Sequence, residues 1–303
     1  MEQRSSLSWI VKCGLSGAAV LLACGAATAW VGGSLQLPAT TTRDGTLITL
    51  NRYVQESVPD VVLVGSSLTY RLNEEYFATP KLRNLALAGG SPLTGLEVVL
   101  DQPRLPKLLL IETNVLSRAP DDAVIARFGR GQSVAPRFFR PIRVAVAAYE
   151  NRLHAPLTHK QIVDTMDRLL GQPPRDFDNS VYVDRAVRQY DEDPSVAVQA
   201  NVERLAALME RARELGVRAL LFELPFPKRV EATRTVQITR SLVHGRFADP
   251  RLWLPIDAGL SELRWLDGVH LDERSAMLVS RSIDTSLGRL LGQIRGQIPS
   301  GKS

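Results

Sequence analysis

Two short segments of this chain carry residues suited to covalent chemistry: Gly65-Ser66-Ser67-Leu68 near one end and Asp267-Gly268-Val269-His270 near the other. A serine hydroxyl is a weak nucleophile until an imidazole takes its proton. A carboxylate behind that imidazole fixes its tautomer and stabilises the imidazolium. An Asp placed three residues before a His, across a turn, supplies that pairing. Together with Ser67 as nucleophile the set suits acyl transfer. Two further clusters offer donors for the oxyanion of such a reaction. Gly89, in Asn84-Leu85-Ala86-Leu87-Ala88-Gly89-Gly90, leaves a backbone amide approachable. Asn114, in Ile111-Glu112-Thr113-Asn114, carries a side-chain amide that can donate. Each cluster also has an ordinary reading: Ser66 and Ser67 as helix caps, Gly89-Gly90 as a turn, Asn114 as a turn residue, Asp267 and His270 as a surface pair.

The elements that must position these residues follow from hydrophobic patterning. Val61-Val62-Leu63-Val64 is a continuous apolar run ending at Gly65, and Leu108 to Ile111 is a second. Val217 to Leu224 is a third, less purely apolar. Runs apolar on both faces mark buried parallel strands. Between them, Val202, Leu205, Leu208, Met209, Ala212 and Leu215 recur at helical spacing, with Gly216 where a helix stop belongs. Ala276, Val279, Ile283, Leu287 and Leu291 predict a C-terminal amphipathic helix. Alternation of strands and helices predicts an α/β fold whose parallel sheet is covered on both faces, with its chemistry at the carboxyl ends of the strands. The four chemistry-bearing clusters all fall at or beside such ends.

In that order, Ser, Gly, Asn and Asp-x-x-His, the sequence resembles the SGNH (GDSL-type) hydrolase family. The family's Gly-Asp-Ser-Leu block is matched by Gly65-Ser66-Ser67-Leu68, and its Asn-x-x-x-x-Gly block by Asn84 and Gly89. Glu112-Thr113-Asn114 matches its Gly-x-Asn block in part, and Asp267 and His270 match its Asp-x-x-His block. The resemblance spans roughly residues 60–290. It implies a flavodoxin-like three-layer sandwich with a mostly parallel sheet. It also implies a catalytic set of Ser67, Asp267 and His270, with the amides of Ser67 and Gly89 and the Asn114 side chain holding the oxyanion. Two departures stand out. Ser66 occupies the usual Asp position, and Glu112 the usual Gly position, where it would bring charge or bulk beside the site.

The N-terminus bears on location. Cys13 to Gly33 is an uncharged stretch of 21 residues, long enough to cross a bilayer as a helix. Arg4 and Lys12 precede it, and the next basic residue is Arg43, which directs the body away from the cytoplasm. Three fates lead: a single retained anchor, a signal peptide cut near Ala27-Thr28-Ala29, and a lipoprotein signal at Leu21-Leu22-Ala23-Cys24. All three export the body, so the expected location is the inner membrane with a periplasmic body, or the periplasm after cleavage. Cys13 and Cys24 are the only cysteines, so the rest of the chain can form neither a disulfide nor a thiolate metal site. No metal and no cofactor are expected.

By organisation, residues 1–33 are the anchor or signal segment, 34–59 an irregular exit linker with a short helix beginning near Asn51, and 60–303 the α/β domain. An insertion or lid is expected at about 116–194, too long for a simple crossover. It carries a basic, partly aromatic stretch in which Arg137, Arg140 and Arg143 are candidate substrate-binding residues for carboxylates, lipid headgroups or an acidic partner. His154, His159 and His244 lack a carboxylate at the Asp267–His270 spacing and are expected at the surface. The net charge of +5 and pI of about 9.4 favour anionic partners only weakly, and export excludes nucleic acid.

The resemblance, the anchor and the basic insertion imply an O-acyl esterase or transferase, acetyl being the expected acyl group. Its partners would be an ester donor, a cell-surface polysaccharide and other polysaccharide-synthesis or secretion proteins at the inner membrane. The alternative is a catalytically silent, polymer-binding or scaffold subunit of an envelope polysaccharide complex. Hydrolysis and transfer differ in whether water or a glycan hydroxyl reaches the acyl-enzyme, and sequence leaves both open.

Overall fold

The computed structural model describes residues 2–31, 41–129 and 158–296. Helix α1 (Glu2–Val31) contains a span, Ser8–Ala26, of mean hydropathy 1.6 that is not buried within the protein. It is long and apolar enough to cross a membrane, and a signal sequence has the same properties.

The body is an α/β fold around a four-stranded, all-parallel sheet. The strands are β1 (Val61–Val64), β2 (Leu82–Asn84), β3 (Leu108–Glu112) and β4 (Arg218–Phe222), in the order β2-β1-β3-β4. Val64 pairs with Ile111, Leu63 with Asn84 and Ile111 with Leu221, so the carboxyl ends of all four strands lie along one edge. A parallel bridge from Leu221 to Trp253, with the Leu254 N–H donating to the Leu221 carbonyl at 2.8 Å, begins a fifth position beside β4.

Alternate residues of the strands feed two cores because successive side chains of a strand point to opposite faces. Val62, Val64, Leu109, Ile111 and Leu221 enter one core. There they meet α2 (Thr42–Gln55), α4 (Pro92–Leu100), α5 (Asp122–Phe128) and α8 (Ser195–Glu214). Val61, Leu63, Leu108, Leu110, Leu220 and Phe222 enter the other. That face is covered by α3 (Ser67–Tyr70), α6 (His159–Leu170), α7 (Ser180–Gln189) and α11 (Glu273–Gly296). The three layers are the arrangement expected for a flavodoxin-like sandwich. Helices α9 (Lys228–Glu231) and α10 (Arg234–Arg246) follow β4.

The expected helix over 202–215 is α8, stopped by Gly216 at φ +74°, a left-handed backbone that glycine adopts without strain. The C-terminal helix is α11, with Ala276, Val279, Ile283 and Leu287 buried as the spacing predicts. One expectation is corrected. The described part of the exit segment is not irregular: Thr41 accepts the Asp44 N–H on its hydroxyl at 3.1 Å and starts α2, which begins at Thr42, well before Asn51, and runs to Gln55. Leu47, Leu50 and Tyr53 of α2 are buried in the first core, which makes this segment part of the domain. The polar residues between those positions hid the stripe from a reading that looked for longer apolar runs. The described parts of the expected insertion pack against the body. Met166 of α6 is buried against the second core, and Arg281 of α11 pairs with Asp167 of α6 at 2.6 Å.

Candidate active site

β1 ends at Val64 and the chain turns at once into α3. Gly65 is required at the turn: a Cβ there would lie 2.5 Å from the Thr69 side chain and 2.7 Å from a Glu112 carboxylate oxygen. Ser66 is the N-cap, its hydroxyl accepting the Leu68 N–H at 3.2 Å. Ser67 is the first helical residue and projects its hydroxyl to the strand-end rim. Of the two serines, the capping reading describes Ser66, and Ser67 is left with its hydroxyl at the rim.

Asp267 and His270 sit in a tight antiparallel turn after the Trp253 bridge. The turn is closed by Leu266 N–H to the His270 carbonyl (2.9 Å), Asp272 N–H to the Arg264 carbonyl (3.0 Å) and a Trp265–Leu271 bridge. Within it, Asp267 Oδ1 accepts the N–H groups of Val269 (3.0 Å) and His270 (2.8 Å), while Oδ2 lies 2.8 Å from His270 Nδ1. His270 Nε2 lies 2.9 Å from Ser67 Oγ, bringing together residues 203 positions apart. Burial alone would raise the Asp267 pKa, but the bonds from the His270 ring and from the two backbone N–H groups outweigh it. They hold the carboxyl well below the ordinary range. An ionised carboxylate only accepts, so Nδ1 carries the proton and Nε2 presents its lone pair to the Ser67 hydroxyl. Gly268 is buried against α7: a Cβ there would stand 2.4 Å from the Ala186 side chain and 2.6 Å from the Tyr182 carbonyl oxygen.

The expected oxyanion donors are placed differently from one another. Gly89 has φ +75°, which glycine adopts freely, and it is exposed. Among the described residues the backbone N–H groups of Ser67 and Gly89 donate to no protein acceptor. Asn114 is committed elsewhere. Its Nδ2 donates to the Leu224 carbonyl and its Oδ1 accepts the Leu224 N–H, both at 2.7 Å, clamping the ends of β3 and β4 together. One Nδ2 hydrogen at most is left over for a substrate. Asn84 is structural as well, donating to the carbonyls of Thr69 and Leu72, each at 2.7 Å, and so fastening the end of α3. A cavity of about 600 Å³ lies against Gly89, bordered by Thr42, Thr46, Arg43 and Arg127; Ser67 and His270 do not line it.

Glu112 does not crowd the site. It is fully buried beneath the β1–α3 turn, where it accepts Ser66 N–H (2.8 Å), Ser66 Oγ–H (2.9 Å) and Thr69 Oγ1–H (2.7 Å). Burial pushes its pKa up, against the lowering effect of the Thr69 and Ser66 donors. A glutamate closing the apolar run Leu108-Leu109-Leu110-Ile111 was the visible signal, because a charge at a buried strand end needs partners. Tyr190 and Arg118 carried no such signal. The Tyr190 phenol, just past α7, has its pKa raised by burial, eased by Arg118 and reinforced by Glu112 and Asp267.

Arg137, Arg140 and Arg143 lie outside the described residues, as does His154. His244 is half-exposed but does have a carboxylate in space, Glu223 at 3.0 Å, and it stacks on Trp253 at 4.2 Å. Among the described residues no cluster of His, Cys, Asp and Glu is arranged to hold a metal ion. No protein-family model matches the chain, and a search of curated proteins finds no significant match.

Proposed function

We propose that this protein is an exported, membrane-anchored serine esterase or O-acyltransferase of the SGNH (GDSL-type) kind, acting on O-acyl groups of a cell-surface polysaccharide. The observation that carries the reading is the unbroken line Asp267–His270–Ser67, with links of 2.8 and 2.9 Å. The mechanism follows from that line. His270 Nε2 takes the Ser67 proton as Oγ attacks the ester carbonyl, and Asp267 stabilises the imidazolium. The open amides of Ser67 and Gly89 are the donors for the oxyanion. Collapse expels the alcohol, which receives the proton from His270 and leaves an acyl-serine. Water or a glycan hydroxyl, deprotonated by the same imidazole, then takes the acyl group. The polysaccharide, with acetyl as the acyl group, rests on the sequence resemblance; export to the periplasmic side rests on α1 and the basic residues before it.

The test uses the full chain in detergent. A fluorophosphonate should label the wild type and not Ser67→Ala, and hydrolysis of an acetyl ester should fall about 1,000-fold or more in that variant. An added glycan acceptor should divert acyl groups from water if the protein is a transferase. An unlabelled Ser67 with equal ester turnover in both proteins would leave a binding or scaffold role instead.

A further inference from the structure

The cavity of about 600 Å³ beside Gly89 is not used by the Asp267–His270–Ser67 line, and its size is that of a small-molecule site. It lies where α2, the loop before α4 and α5 meet. Its base is the edge of the first core: Leu47 and Leu87 are buried there, and Val124 packs on the same core. Its mouth is open to solvent, since Thr42, Arg43, Gly89 and Asp121 are exposed. Two arginines line it. Arg43 is in the first turn of α2, and Arg127, in the last turn of α5, is half-buried with its guanidinium 5.7 Å from the centre of the Phe128 ring. Among the described residues neither forms an ion pair, whereas Arg52, also on α2, reaches both Glu56 and Glu74. Asp121 is the one acid on the described lining, and it is engaged: its Oδ1 accepts the Val124 N–H at 3.0 Å and caps α5. The hydroxyls of Thr42 and Thr46 and the open N–H of Gly89 add neutral donors.

We propose that this cavity is a binding site for a small amphiphilic anion. A carboxylate or phosphate monoester is held by Arg43 and Arg127, and an apolar body of about ring size rests on Leu47, Leu87 and Val124. The anion follows from charge: two cations against one capping carboxylate leave the lining net positive, and the planar fork of arginine fits carboxylate and phosphate oxygens alike. The apolar body follows from the base, which a bare inorganic ion would leave facing water. The site goes beyond the esterase reading, because binding there does not need Ser67 to react. Gly89 is the wall it shares with the rim. The Leu87 N–H donates to the Gly65 carbonyl at 2.9 Å, so the Ala88-Gly89 loop leaves the sheet alongside the turn that carries Ser67. A bound anion therefore sits against that loop.

The experiment is calorimetry on the full chain in detergent, with three water-soluble probes: phenylacetate, phenyl phosphate and the neutral phenylacetamide. At least one of the two anions should bind about 10-fold or more tightly than the amide, and which one does identifies the head group. Replacing both arginines, Arg43→Gln with Arg127→Gln, should weaken that anion by about 10- to 100-fold, the range of a charged hydrogen bond, and leave the amide unchanged. Thr46→Trp, which fills the cavity from α2, should remove binding of all three probes. Neither arginine is buried in the core, so the double variant is expected to fold, with its melting temperature as the check; the single substitutions carry the test otherwise. Equal binding of amide and anions overturns the site. So does anion binding that survives loss of the arginines, or no anion binding at about 10 mM. Fluorophosphonate labelling of Ser67 reports on the enzyme reading separately. Reactive Ser67 with charge-blind binding ends the anion site alone, and inert Ser67 with charge-dependent binding ends the enzyme alone.

Discussion

The Glu112 carboxylate accepts both the backbone N–H and the hydroxyl of Ser66, at 2.8 and 2.9 Å. The acid that fixes the turn before Ser67 therefore arrives from β3, not from the turn itself. Ser66 and Glu112, the two departures from the pattern that the sequence resembles, are in contact and act as one unit. Ser66→Asp alone should crowd two acids into a dry site and destabilise the fold. Glu112→Gly alone should strand the Ser66 and Thr69 donors, at about 1–3 kcal/mol for each unsatisfied group. The double variant should recover part of both losses. Chemical denaturation of the four proteins measures the coupling, and strictly additive losses would refute it.

Asp267 and Glu112 give pH dependences of opposite sign. The Asp267 pKa is lowered by folding, so its stabilisation is present above the unfolded value near 3.9 and is lost as pH falls below it. Asp267→Asn should be less stable than wild type at pH 6, with the gap closing below about pH 4. The Glu112 pKa is raised, so its contribution is full below the unfolded value near 4.3 and is lost as pH rises through the folded one. Glu112→Gln should therefore gain on the wild type as pH rises from 4 to 8. Melting temperatures across that range decide both.

Asp267→Asn should also lower esterase turnover by about 10,000-fold with the protein still folded. An amide facing Nδ1 selects the tautomer that cannot accept the Ser67 proton. Retained turnover in a folded Asn variant would show that the carboxylate does not orient His270.

Asn114→Ala should cost stability as well as rate. It breaks two 2.7 Å bonds to the Leu224 backbone, so a loss of about 1–3 kcal/mol is expected. A pure oxyanion donor would lower turnover and leave the unfolding midpoint in place.

Gly268→Ala should destabilise by about 1–3 kcal/mol, because its methyl meets Ala186 and the Tyr182 carbonyl and must part α7 from the Asp267–His270 turn. Gly245→Ala in α10 meets nothing within 4 Å and should be neutral or stabilising, which makes it the matched control.

Leu50→Ala in α2 is expected to cost about 2–5 kcal/mol, since the side chain is fully buried. A fragment starting at residue 56 should fail to fold where one starting at residue 34 succeeds. Equal melting of the two fragments would return this segment to the status of a linker.

By itself the sequence determined the apolar runs Val61–Val64 and Leu108–Ile111, the helices ending at Gly216 and running through α11, and the candidate residues Ser67, Asp267 and His270. Those features are written in local pattern: unbroken apolar runs, helical spacing, and an Asp three residues before a His. The tertiary structure alone decided which way the polar groups at the strand ends turn. Asn114 faces Leu224 and Glu112 faces Ser66 because parallel pairing sets β3 between β1 and β4, and a side chain at a buried edge bonds the nearest unpaired backbone group. Likewise Ser67 and His270 meet only because the chain returns along the same rim after 203 residues, a closure that no local spacing encodes.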